Sequence, residues 1–257
     1  MITIVPNDKD LIKNNLVELM CSGGTPRPIQ MQISEAISII ASVDFPAAWS
    51  NLLPQLVSKF NTPDVNGVLL TANSLFKRFR GAERNDALYL VIKHCLEHMQ
   101  EPLLLLFQSK SREIDSLTQD KNQLEPRFES LRIMCRIYYS LVWQDLPEYF
   151  EDHMNEWMSE FAKFMQYTNP VLIDSDEEDE PDVISKVQAG IVEILHLYAD
   201  KDEEVFTPFL STFTSYVLNR LIALSPIPKD NVLAIKSIKF LSVLISKILY
   251  KELFEKR

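Results

Sequence analysis

The sequence predicts an all-α superhelix of about ten stacked helices, and three observations carry that prediction. Apolar residues recur at three- and four-residue steps in segment after segment, with no run of the two-residue alternation that marks a half-buried strand. Only 5 glycines occur in 257 residues, too few for many tight β-turns or for glycine-rich phosphate loops. Short acidic or proline-bearing corners open helices at Asp44, near Glu101, at Asp145 and near Glu203. Their spacing of roughly 45 to 60 residues is that of long two-helix HEAT-type repeats with insertions. A helix with one apolar stripe cannot cover it alone, so the series must stack as a solenoid over the whole of residues 1–257.

The elements follow in order. Asn7 suits the cap of a first helix running to about Met20, with Leu11, Leu16, Leu19 and Met20 on its apolar side. "CSGGTPRP" ends it, and a second helix shows its period through Ile33, Ala36, Ile37, Ile40 and Val43. A break is predicted at "SVD", where Asp44 would cap a third helix and Pro46 would occupy its first turn. Trp49, Leu52, Leu53, Leu56, Val57 and Phe60 form the stripe of that helix. After the turn cluster "NTPDVNG", the segment Asn66 to Arg80 places apolar residues at 68, 69, 72, 75, 76 and 79.

"GAERND" separates this from a long helical tract, about Ala87 to Leu117, expected to bend or split at Glu101-Pro102. "TQDKNQLEP" reads as a loop, after which Phe128, Leu131, Cys135, Tyr138 and Val142 mark the next helix. "DLP" at Asp145 repeats the "DFP" at Asp44 and opens another. Residues 170–182 read as an acidic inter-helix loop. Helices are predicted at about Val183 to Ala199, Asp202 to Leu224 and Asp230 to Lys247, with a further one starting at Ile248.

Composition narrows the function. The net charge of −10 and a pI near 5.0 disfavour nucleic acid as a ligand, since a duplex-binding domain needs a basic face. Cys21, Cys95 and Cys135 are odd in number and far apart, the usage of reduced thiols in an intracellular protein. The first residues, "MITIVPNDKD", carry no secretory pattern, and the densest apolar run, Leu103 to Phe107, is far too short for membrane insertion.

Three segments carry a family resemblance. "IIASVDFPAAWSNLL" resembles the early repeats of the importin-β (karyopherin-β) superfamily, with an acidic-aromatic-Pro step followed by Trp and Leu. Ser50 stands where that superfamily often has Pro, and a Pro occurs instead at position 54. "NGVLLTANSLFKRFR" and "QDLPEYFEDHMNEWM" are similar to the exportin-2 (CAS) type of receptor, with Asn73 in place of an expected His. The resemblance implies a nuclear export receptor segment that binds importin-α together with Ran in its GTP form and recycles it from nucleus to cytoplasm. It implies nucleoporins as further partners, a location in both compartments, and a piece of a much longer receptor whose first repeats lie upstream. It also places second helices of the repeats, Asn66 to Arg80 and Val183 to Ala199, on the concave side. The competing readings are another HEAT scaffold, such as an import receptor or a phosphatase regulatory subunit, and a helical enzyme.

Candidate residues follow from charge and spacing. Lys77, Arg78 and Arg80 suit the C-terminal dipole of their helix, and are candidate contacts for an acidic partner. Asp176, Glu177 and Glu178 could attract a basic partner, and Ser175 before "DEE" is a candidate acidophilic-kinase site. His94 and His98 lie four apart on a helix but lack a third ligand, so a solvated, charged face is expected rather than a metal centre. Glu148, Glu151 and Asp152 are expected to complement a helix N-terminus, and Trp49, Trp143 and Trp157 to anchor the core. No catalytic, cofactor or metal residue is predicted.

Overall fold

The computed structural model describes residues 5–21, 25–62, 65–117, 120–173, 180–248 and 250, and among these there is no strand. The chain packs as two compact units, Met1–Leu106 and Phe107–Arg257.

The first unit begins with α1 (Pro6–Cys21), α2 (Arg27–Asp44), α3 (Leu52–Ser58) and α4 (Val65–Phe76), the last continuing as a 3-10 turn, Lys77–Gly81. All six apolar positions predicted from Val68 to Phe79 are buried, so the stripe is right although the α-helix itself stops at Phe76. Gly67 lets the start of α4 close on the end of α1: a Cβ there would lie 3.0 Å from the Met20 carbonyl oxygen.

Two predictions for this unit are corrected. In α1 the apolar assignment fails for Leu11 and Leu19, which are 58% and 48% exposed. The inward positions are Lys13, Val17 and Met20. In α2 the inward face is Ile33, Ser34, Ile37 and Ala41, and Val43 points to solvent.

The "DFP" corner is also built differently. Asp44 ends α2 instead of capping α3, because the residue before a proline is driven out of the helical region. Phe45 is extended at φ −92° and ψ 137°, its peptide to Pro46 is cis, and α3 starts only at Leu52. The freed Asp44 carboxylate meets Lys13 Nζ at 2.7 Å. That ammonium also donates to the Ala48 carbonyl at 2.9 Å and sits 5.4 Å from the Trp49 ring centroid. Lys13 is only 5% exposed, so a buried cation from α1 holds the corner closed.

The corner should therefore be acid-sensitive. The hydrogen bond from Lys13 holds the Asp44 carboxyl below its ordinary value of 3.8. A depressed carboxyl contributes stability that is present above its unfolded pKa and lost as pH falls through the folded one. Thermal melts should show the wild type losing stability below that ordinary value of 3.8, by more than an Asp44→Asn variant loses. Parallel losses in the two proteins would remove this pair from the account.

α5 (Asp86–Ser116) begins in the first unit and ends in the second. It runs unbroken through Pro102, so of the expected bend or split the split does not occur. Its inward residues Cys95, Met99, Leu103, Phe107 and Ile114 keep one face through the proline, and that packing outweighs one missing backbone bond.

The second unit continues with α6 (Lys121–Leu141), α7 (Glu148–Asp152), α8 (Met154–Gln166), α9 (Pro170–Ile173), α10 (Val183–Lys201), α11 (Glu203–Phe206), α12 (Leu210–Ile222) and α13 (Asn231–Ser246). Part of the expected loop "TQDKNQLEP" is helix: Asp120 caps α6 by accepting from the Gln123 N–H, and Pro126 lies inside the helix. The predicted tract from Asp202 to Leu224 is interrupted by a 3-10 turn, Thr207–Phe209, around Pro208.

α10 lies at the centre, packed mainly on α6 and α13. Gly190 permits the close approach to α6, where an added Cβ would meet Cys135 Cβ at 3.2 Å. An aromatic cluster of Phe107, Tyr138, Phe150, Trp157, Phe161 and Phe164 fills the space between α5, α6 and α8. The Tyr138 ring centroid lies 4.6 Å from Trp157 and 4.8 Å from Phe150, both edge-on. The Tyr138 and Tyr198 hydroxyls share a hydrogen bond of 2.5 Å, which satisfies two buried polar tips at once.

Candidate protein-binding surface

The basic end of α4 is the first candidate. Lys77 remains 54% exposed and pairs loosely, at 3.7 Å, with Glu35. Arg78 turns inward: Nη1 donates to the Ala41 carbonyl at 3.4 Å and the guanidinium lies 5.7 Å from the Phe79 ring centroid. Half-burial pulls this guanidinium below its usual pKa. Ala41 O also receives the Phe45 N–H, so Arg78 helps cap the last turn of α2. Arg80 is half-buried. Of the three cations singled out in the sequence, Lys77 is the exposed one, and Arg78 is built into the fold.

On α4, Asn66, Leu70 and Asn73 recur at four- and three-residue steps along one side, and Lys77 and Arg80 follow on the 3-10 turn that continues the helix. Asn73 is recessed there at 8% exposure, and its Oδ1 is buried without a hydrogen-bond partner. The sequence marked Asn73 only as a departure from its family; the orphaned carbonyl is visible in the structure alone.

The acidic candidates Asp176, Glu177 and Glu178, and the candidate phosphosite Ser175, lie outside the described residues. Their flanks are more ordered than a loop over 170–182 implies. Pro170–Ile173 forms the turn α9 with Leu172 buried, and Glu180 pairs with Lys186 at 2.9 Å. Asp182 caps α10, with Oδ1 accepting from the Ser185 N–H at 2.7 Å and Oδ2 from the Ser185 hydroxyl at 2.8 Å.

The remaining sequence candidates fall into place as packing. His94 and His98 are in edge contact at 4.7 Å, and His94 also meets Phe45 at 5.4 Å. His94 Nε2 is buried and unpaired, so this is a packed edge rather than the solvated face expected. Among the described residues no three potential ligands gather to hold a metal. Burial pushes the Cys135 thiol up to about 12 and raises Cys95 as well, which leaves both unreactive near neutrality. The Cys21 side chain lies outside the described residues. Trp49 and Trp157 are core residues, whereas Trp143 is half-buried beneath Lys201 Nζ, 4.5 Å from its ring centroid. Glu148 and Glu151 stand in the first turn of α7, as predicted.

Sequence reasoning also missed a buried polar network in the second unit. Gln188 donates its amide to the carbonyls of Phe164, Met165 and Tyr167 at 3.2, 3.3 and 3.4 Å, and its Oε1 accepts from Arg220 Nε at 2.8 Å. Arg220 Nη2 reaches Ser185 Oγ at 3.2 Å. The only sequence signal was a glutamine on the inward face of an otherwise apolar helix.

Comparison with known proteins identifies the scaffold. The Cse1 family model matches residues 75–257. The chain belongs to the Cse1 family. It is 40% identical over 249 residues to the importin-alpha re-exporter of Schizosaccharomyces pombe, covering 96% of this chain and 25% of that protein. It is 37% identical over 251 residues to Exportin-2 of Homo sapiens, covering 96% of this chain and 26% of that protein. A solved structure, the exportin Cse1 in its cargo-free, cytoplasmic state, superposes with a TM-score of 0.91 at 37% identity, over 98% of this chain and 27% of that one. This likeness bears out the predicted all-α HEAT-repeat fold for the Cse1-family chain. The chain spans about a quarter of the length of these relatives.

Proposed function

We propose that this Cse1-family chain is a segment of a nuclear export receptor that binds importin-α together with Ran in its GTP form. In this reading it works by protein binding without catalysis, shuttles between nucleus and cytoplasm, and meets nucleoporins on the way. The observation that supports it is identity of 36–40% spread over 96% of the chain to proteins named for importin-α re-export or as exportin-2.

The test is a binding titration with importin-α, with and without GTP-loaded Ran. A quarter of a receptor should bind importin-α weakly, in the range of roughly 1 μM to 1 mM. Ran-GTP should raise that affinity only slightly, and by linkage importin-α should raise the affinity for Ran-GTP by the same factor. Absence of binding to either protein at the upper end of that range would overturn the reading.

A further inference from the structure

We draw no further inference here: the strongest candidate, the exposed apolar face that Ile235, Ile238 and Ile245 form on α13, carries nothing, because nothing in the structure shows what covers it.

Discussion

Replacing Trp157 by alanine will unfold the second unit at a markedly lower temperature than the wild type. The indole of Trp157 is fully buried on α8 and touches four aromatic neighbours, Phe107, Tyr138, Phe150 and Phe161, at centroid distances of 5.3, 4.6, 6.2 and 5.7 Å. Those rings come from α5, α6, α7 and α8, so the cavity would open where several helices meet. None of them can move in to fill it without breaking edge contacts elsewhere. The expected cost is about 3–5 kcal/mol, at the upper range for a large-to-small core substitution. At roughly 2–4 °C per kcal/mol the midpoint should fall by about 10 °C. The indole N–H is unpaired, so no hydrogen bond complicates the comparison. Trp157→Phe retains most of the ring contacts and should recover more than half of the loss. A drop of less than about 1 kcal/mol for the alanine variant would mean that the cluster is not the centre of this core.

The sequence made the apolar periods legible because they are a direct image of burial. Val68, Leu69, Ala72, Leu75, Phe76 and Phe79 were placed on one stripe from spacing alone, and all are buried. What spacing could not show was where chemistry departs from the hydrophobic pattern. Lys13 occupies an inward position that polarity assigns to solvent, because its charge is met by Asp44 on a different helix. That pairing joins residues 31 apart in the chain, and no local rule reveals it. The corner at Asp44 was misjudged for a local reason that competed with another: Asp suits an N-cap, yet the proline two residues on sets Phe45 extended and ends the helix first.

The candidate surface was legible only in part, and for the same reason. Lys77 and Arg78 are equivalent as charges in a sequence, and become different once Arg78 reaches a backbone carbonyl while Lys77 stays exposed. Arg78 has such a carbonyl at Ala41, so reversing its charge would damage α2 and would say little about a partner. Asn73 reads as a polar interruption of an apolar helix, a neutral feature until its Oδ1 is found buried and unpaired. An orphaned atom is a property of surroundings that the sequence does not encode locally.

Substitution of Gln188 will also be strongly destabilising, and it separates hydrogen bonding from volume. The side chain is 1% exposed on α10, and its amide covers three carbonyls where α8 ends. Helix ends leave carbonyls without intrahelical donors, and buried ones must be satisfied from elsewhere. Gln188→Ala removes that donor and also strips Arg220 Nε of its acceptor, leaving a half-buried guanidinium with one fewer bond. The expected loss is about 2–4 kcal/mol, since unsatisfied buried groups cost more than the bonds gain. Gln188→Glu tests the cause at nearly constant shape. The carboxylate would strengthen the contact with Arg220 but offers no donor to the Phe164, Met165 and Tyr167 carbonyls, and it would repel them. This variant should therefore remain destabilised near neutral pH and recover as the glutamate is protonated, the reverse of the acid response expected at Asp44. Hydrogen exchange at the α8–α10 contact would report the same order, with faster opening in both variants. A Gln188→Glu protein as stable as the wild type at neutral pH would show that Arg220 pairing, and not the capping of α8, is what this residue is there to provide.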